Sequence, residues 1–281
     1  MAVQSAAQSK TPITLTIAGS DSGGGAGIQA DIKAISATGG YACSVIAALT
    51  AQNTQGVTGI FNISPEFVAE QLDAVFSDLD VKAVKIGMLS DAVIIQTVAD
   101  KLRQYQPQFL VVDPVMVATS GDLLLQRDAI ETLKSALLPL ADVITPNLPE
   151  AAALLNTEIP QTEADMAELV EALRELGAGA VLLKGGHLSQ TQESTDLLIS
   201  TDQVIRFSHP RIDTHNTHGT GCTLSAAIAS FLAQGFALND AVQHAKTYLT
   251  EAIRHADELQ IGTGHGPVNH FFHGHYQPER A

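Results

Sequence analysis

The segment Asn216-Thr-His-Gly-Thr-Gly-Cys222 runs straight into an apolar stretch, Leu224–Leu232. Successive N–H groups at Gly219, Thr220 and Gly221 can aim at one point and form an anion-binding nest. The start of a helix there adds about half a positive charge. Such a site suits the negative charge that develops on a phosphoryl group in transfer. Gly-Thr-Gly is costly inside a helix, and a plain N-cap does not need it. Cys222 falls in the first turn, where a thiol is expected to titrate below its ordinary range. His218 by itself reads as structural or exposed.

A second glycine-rich segment, Ala18-Gly-Ser-Asp-Ser-Gly-Gly-Gly-Ala-Gly27, stands between a strand pattern and a helix pattern. It lacks the Gly-Lys-Ser/Thr ending of a P-loop and the Gly-x-Gly-x-x-Gly of a dinucleotide fold. Three consecutive glycines still exceed what a turn requires, and they let the backbone approach a ligand and offer it N–H groups. Asp31, one helical turn further on, reads by spacing alone as a solvated helix residue. In Thr145-Pro-Asn-Leu-Pro-Glu150, Asn147 and Glu150 straddle a helix start. An amide and a carboxylate so placed can hold Mg²⁺, and the same spacing fits a capping box; spacing leaves both open. Asp113 ends an apolar strand, where a carboxylate is poorly placed for solvent and well placed for a metal or its water shell. Lys184-Gly-Gly-His187 offers a lysine that can reach phosphates, or one solvated in a turn. His265, His270, His273 and His275 crowd the C-terminus with no metal-site spacing and read as a solvated tail.

These segments need a scaffold that brings them to one place. Strand patterns at Ile13–Ala18, Ala42–Thr50, Val57–Ile63, Ala83–Ile86, Phe109–Val112, Val143–Thr145, Ala180–Leu183, Asp196–Ile199 and Val204–Phe207 alternate with helix patterns at Ala26–Thr38, Pro65–Leu79, Ala92–Tyr105, Arg127–Leu137, Pro149–Leu155, Glu163–Leu176, Thr220–Ala233 and Asn239–Ala256. That alternation predicts βαβ units and an α/β fold with a mainly parallel sheet. Ligands of such sheets bind at the carboxyl ends of the strands, and there the polar and glycine-rich residues gather. No repeat or linker divides the chain, so one domain over 11–273 is expected, with a flexible leader at 1–10 and a flexible tail at 274–281.

Among the 281 residues, 30 acidic and 15 basic side chains give a formal net charge of −15. A surface so negative repels nucleic acid and anionic membrane. It repels nucleotides at long range too, so a phosphate site must be local. The two cysteines, Cys43 and Cys222, make no disulfide framework, and no apolar run reaches the roughly 18 residues of a membrane span. A cytoplasmic protein is expected. A lysine, carboxylates, an anion nest and glycine-lined approaches are what phosphoryl transfer asks for; no Gly-x-Ser-x-Gly elbow or HExxH competes.

The motifs resemble the hydroxymethylpyrimidine/phosphomethylpyrimidine kinases of thiamine biosynthesis, in the ribokinase-like superfamily. The resemblance runs from Ile13 to Phe271 through the segments Ala18–Asp31, Ala51-Gln-Asn-Thr54, Lys85-Ile-Gly-Met88, Thr145–Ala151, Leu183–His187 and Asn216–Cys222. It implies a three-layer αβα sandwich and ATP- and Mg²⁺-dependent phosphorylation of 4-amino-5-hydroxymethyl-2-methylpyrimidine, then of its monophosphate. It assigns the early glycine segment, with Gly19 and Gly25, to the alcohol substrate, together with Gln52, Asp31, Met88 and Val115. Gln52 would read the ring nitrogen and exocyclic amine. Asp113, Asn147 and Glu150 match the Mg-ATP region, with Asp113 and Glu150 as metal carboxylates. Lys184 matches the phosphate-contacting lysine, Gly219, Thr220 and Gly221 the anion hole, and Cys222 the base. The wider superfamily usually has Asp at that last position; cysteine is the usual residue of the pyrimidine kinases. Lys184 and the glycine segment are expected to tolerate the second phosphate. A homodimer is implied as well. The rival readings are a pyridoxine/pyridoxal kinase and a non-catalytic pyrimidine or nucleotide sensor.

Overall fold

A computed structural model describes residues 11–116, 127–186, 188 and 192–274. The leader at 1–10, His187 and His275 lie outside these residues. Nine strands form one sheet in the order β3-β2-β1-β4-β5-β6-β7-β8-β9. They are β1 (Ile13–Asp21), β2 (Tyr41–Asn53), β3 (Gly56–Asn62), β4 (Val81–Ile86), β5 (Phe109–Val112), β6 (Val143–Ile144), β7 (Val181–Lys184), β8 (Glu193–Ile199) and β9 (Val204–Pro210). From β2 to β7 the neighbours pair in parallel. The edges close with antiparallel strands, β3 on β2 and β8–β9 on β7.

The helices are α1 (Gly27–Ala37), α2 (Pro65–Asp78), α3 (Ala92–Tyr105), α4 (Arg127–Thr132), α5 (Leu148–Leu155), α6 (Glu163–Glu168), α7 (Val170–Arg174), α8 (Thr220–Ala233) and α9 (Leu238–Arg254). Two apolar layers hold them to the sheet. One joins Leu15, Ile17, Val84 and Ile86 to Val68, Leu72, Ile94 and Val98 of α2 and α3. The other joins Ala83, Val111, Val143 and Leu182 to α1, α8 and α9. Covered on both faces, the central strands read as apolar runs without alternation. The result is the expected αβα sandwich.

The chain leaves β1 for β2 on one side and reaches β4 on the other, so a topological switch point lies at the carboxyl ends of β1 and β4. There Gly19 N–H donates to Met88 O at 3.1 Å. Element boundaries depart from the sequence reading in a few places. β1 and β2 run on to Asp21 and Asn53, so Gly19-Ser-Asp21 and Gln52 are strand residues. The helix expected over Arg127–Leu137 widens into a π turn at Leu133–Leu137 and tightens at Leu138–Leu140, where Pro139 cannot donate an N–H. The helix expected over Glu163–Leu176 is interrupted at Leu169.

Candidate active site

A cleft of about 640 Å³ runs along the carboxyl edge of the sheet. Of the residues singled out from the sequence, Gly19, Gln52, Met88, Asp113, Val115, Asn147, Glu150, Lys184 and Gly219–Cys222 all line it. Gly25 and Asp31 do not.

One end of the cleft gathers charge. Asp113 is buried and accepts Oδ1 hydrogen bonds from Lys184 Nζ and Thr145 Oγ1, each at 2.9 Å. Burial pushes its carboxyl up, but Lys184 and Lys85 more than offset this and hold it below the ordinary range. Lys184 is not solvated: its side chain keeps 13% of its exposure. Glu150 and Asn147 form the capping box of α5: Asn147 N–H donates to Glu150 Oε2 at 2.8 Å, and Glu150 N–H to Asn147 Oδ1 at 2.9 Å. The cap does not remove Glu150 from the cleft. Burial, with repulsion from Asp113, drives its carboxyl up to about 7 against the pull of Lys184. A buried carboxyl so disfavoured in its charged form is one that a cation would relieve, so the pair fits a divalent ion bound through oxygen and water.

The start of α8 meets this end directly. A Cβ on Gly221 would stand 3.3 Å from Lys184 Nζ and 3.5 Å from Asp113 Oδ2. Gly219, the N-cap, has φ +79°, and a Cβ there would lie 1.9 Å from Gly25 O. Only glycine allows that conformation and that approach. The nest is narrower than the sequence reading had it. Thr220 N–H turns back to Thr217 O at 3.3 Å, and the first-turn donors left without a partner among the described residues are those of Gly221 and Cys222. The Cys222 thiol is not lowered by its place at the helix start. Burial pushes it up to about 11, outweighing Lys85 and a hydrogen bond from Gly27 N–H.

The glycine segment differs more. Asp21 Oδ1 accepts from Gly23 N–H at 2.8 Å, and Oδ2 accepts from Gly25 and Ala26 N–H at 3.0 and 2.8 Å. The loop amides thus close on the chain's own carboxylate, and the glycines serve close packing. Gly25 sits under His218, whose Cδ2 would be 2.5 Å from a Cβ. His218 is buried rather than exposed and lines the cleft. Its Nε2 lies 2.9 Å from Asp21 Oδ2 and 3.5 Å from Gln52 Nε2. Beneath the floor, Asp31 is fully buried, neither a solvated helix residue nor a lining one. It pairs with Lys85 at 2.8 Å and accepts from Thr16 Oγ1 at 2.5 Å.

Asp21, Lys85 and a buried pair, Asp196 with Lys246, were missed by sequence reasoning. Lysine inside an otherwise apolar strand is the signal that could have found Lys85, since such a cation needs a buried partner. The C-terminal histidines are not simply a solvated tail. His270 is buried against Thr223 Oγ1 at 2.9 Å, while His265 and His273 are exposed. Residues before it strap the cleft wall: His218 N–H donates to Gly266 O and His265 N–H to Thr54 O.

Residues 21–269 match the phosphomethylpyrimidine kinase family. The chain is 59% identical over 261 residues to the hydroxymethylpyrimidine/phosphomethylpyrimidine kinase of Rhizobium meliloti, covering 93% of this chain and 97% of that one. Among solved structures, the phosphomethylpyrimidine kinase of Clostridium difficile 630 is 45% identical, with a TM-score of 0.76 over 86% of this chain and 99% of that one. An ADP complex of Bacillus subtilis pyridoxal kinase is 34% identical, with a TM-score of 0.86 over 92% and 97%. No helix among the described residues is long and apolar enough to cross a membrane.

Proposed function

The chain belongs to the phosphomethylpyrimidine kinase family, and we propose that it transfers the γ-phosphate of ATP to 4-amino-5-hydroxymethyl-2-methylpyrimidine and then to the monophosphate. Supporting the proposal above all is the contact between the start of α8 and the Lys184–Asp113 pair in the cleft that Gln52 and Met88 also line.

In this reading Gln52, Met88, Val115 and Gly19 seat the ring. Gly221 and Cys222 N–H groups, with Lys184, face the phosphoryl group in flight, where fixed donors act strongly because they need not reorganise. Glu150 holds Mg²⁺, with Asp113 behind it through water; the ion supplies charge neutralisation across the phosphates. Asn147 fixes Glu150 through the capping box. Cys222 takes the hydrogen bond of the attacking hydroxyl, and a loose transition state lets the proton leave late, so a weak base serves. With the glycine amides closed on Asp21, Lys184 and the start of α8 are left to accept the second phosphate. Asp31 and Gly25 act from behind the lining. The domain at 11–273 works as a cytoplasmic homodimer.

A coupled assay of ADP release with the pyrimidine alcohol, its phosphate and pyridoxal tests this. The alcohol and its phosphate are expected to give the higher specificity constants. Cys222→Ala should lower kcat by about 10²-fold, the low end of general-base effects. A higher constant for pyridoxal would establish the second reading, which the pyridoxal kinase fold at 34% identity favours. Absence of substrate-dependent ADP release would leave a sensor.

A further inference from the structure

Lys85 is among the largest fully buried side chains of the protein, and neither it nor Asp31 lines the cleft. Its ammonium makes two hydrogen bonds, both to Asp31, at 2.9 and 2.8 Å. A buried ion pair is weak support for a fold, since an apolar pair of similar volume often does as well. Its place suggests another use. Lys85 Nζ lies 2.8 Å from where a Cβ on Gly87 would be, so the glycine leaves the ammonium room at the cleft floor. Asp31 stands one turn along α1 from Gly27, whose N–H donates to the Cys222 sulfur. Ala26 gives α1 no side-chain cap, so that sulfur meets the open start of α1 while sitting in the first turn of α8. The charges within reach of it are Lys85 on β4, Asp31 on α1 and Asp113 after β5; Lys184 on β7 also interacts with it.

We propose that Lys85, held by Asp31, is a positioning residue that stabilises the thiolate of Cys222 from beneath the cleft. The thiolate is the form that can take the substrate's proton. In that step the hydroxyl O–H bond breaks and an S–H bond forms. The oxygen's electron pair goes to the γ-phosphorus, and the bond from phosphorus to the ADP oxygen breaks. The inference rests on the kinase reading for its purpose, but its test does not need turnover.

Cys222 is partly exposed to the cleft, and Cys43 is the only other cysteine. In a Cys43→Ala background, iodoacetamide therefore reports on Cys222 alone, read by mass spectrometry at near-neutral pH. Lys85→Met is expected to slow alkylation by about tenfold or more, equal to one pH unit of thiol shift. Lys85→Arg should restore most of it. Because Lys85→Met strands the charge of Asp31, the double variant Lys85→Met/Asp31→Leu is measured too; the rate should fall in the same direction by less. In turnover, kcat falls and the KM for ATP does not. A folded single or double variant, shown by unchanged near-ultraviolet circular dichroism, that alkylates at the wild-type rate overturns the proposal. Slowed alkylation in a protein that phosphorylates no pyrimidine would sink the kinase reading and leave this one standing.

Discussion

Glu150 shows how one side chain can be set against the stability of its own fold. Its carboxyl rises from 4.5 to about 7 because burial and Asp113 disfavour its charge. The folded chain therefore binds this proton more tightly than the unfolded chain. Between those two values the folded state holds more protons, and stability falls as pH rises. Glu150→Gln keeps an acceptor for the capping box and removes the titration. At pH above the window it should be more stable than the wild type by up to about 3 kcal/mol, and near the lower edge the two should coincide. Thermal unfolding of both proteins across the window measures this. The same variant should lose about 10–100-fold in specificity constant for MgATP. A variant with unchanged activity would mean that Glu150 is a cap and nothing more. Spacing could not choose between cap and ligand, since a helix start that satisfies an N–H with a carboxylate also points that carboxylate at the sheet edge.

At the scale of elements, the sheet was legible because its code is local. Apolar runs separated by amphipathic periods mark buried parallel strands and their crossovers, and each of the nine expected strands overlaps an observed one. What the glycines do was not legible, because it depends on what approaches them. Gly23–Gly25 looked like open donors until Asp21, four residues or fewer away, was seen to occupy those amides. His218 carried no local sign that Asp21 and Gln52 would close around it. Gly219 and Gly235 make the point measurable. Both have φ near +80 to +93°, yet a Cβ on Gly219 meets Gly25 O at 1.9 Å, whereas on Gly235 it meets nothing within 4 Å. Gly235→Ala should cost about 1 kcal/mol, from backbone strain alone. Gly219→Ala should cost at least about 2–3 kcal/mol and so lower Tm by several degrees. It should also cut kcat, since the clash pushes the start of α8 off the glycine segment. Equal losses in the two variants would show that the α8 start and the glycine segment are not packed as described.

The molecule as a whole carries a charge of −15 and still presents an apolar edge. Strand β3 ends the sheet. Leu49 of β2 and Phe61 of β3 are direct cross-strand partners, and both are exposed, at 43% and 69%. Phe67, at 54%, begins the helix that follows. An edge strand with uncovered apolar side chains is a liability in a monomer. Pairing with a second copy answers it, and a two-fold axis brings the same residues together from both sides. The hairpin also carries Gln52 and Val57 to the cleft, so a dimer would brace one wall of the site. Sedimentation equilibrium should therefore find a dimer at micromolar protein. Each buried phenylalanine contributes about 1.5–3 kcal/mol, and the axis doubles it. Phe61→Ser should then weaken the dimer by roughly 10²- to 10⁴-fold in Kd. Raised salt should strengthen the wild-type dimer, because it screens two like-charged protomers. A monomer under all these conditions would remove the dimer from the reading and leave the edge to be explained by another partner.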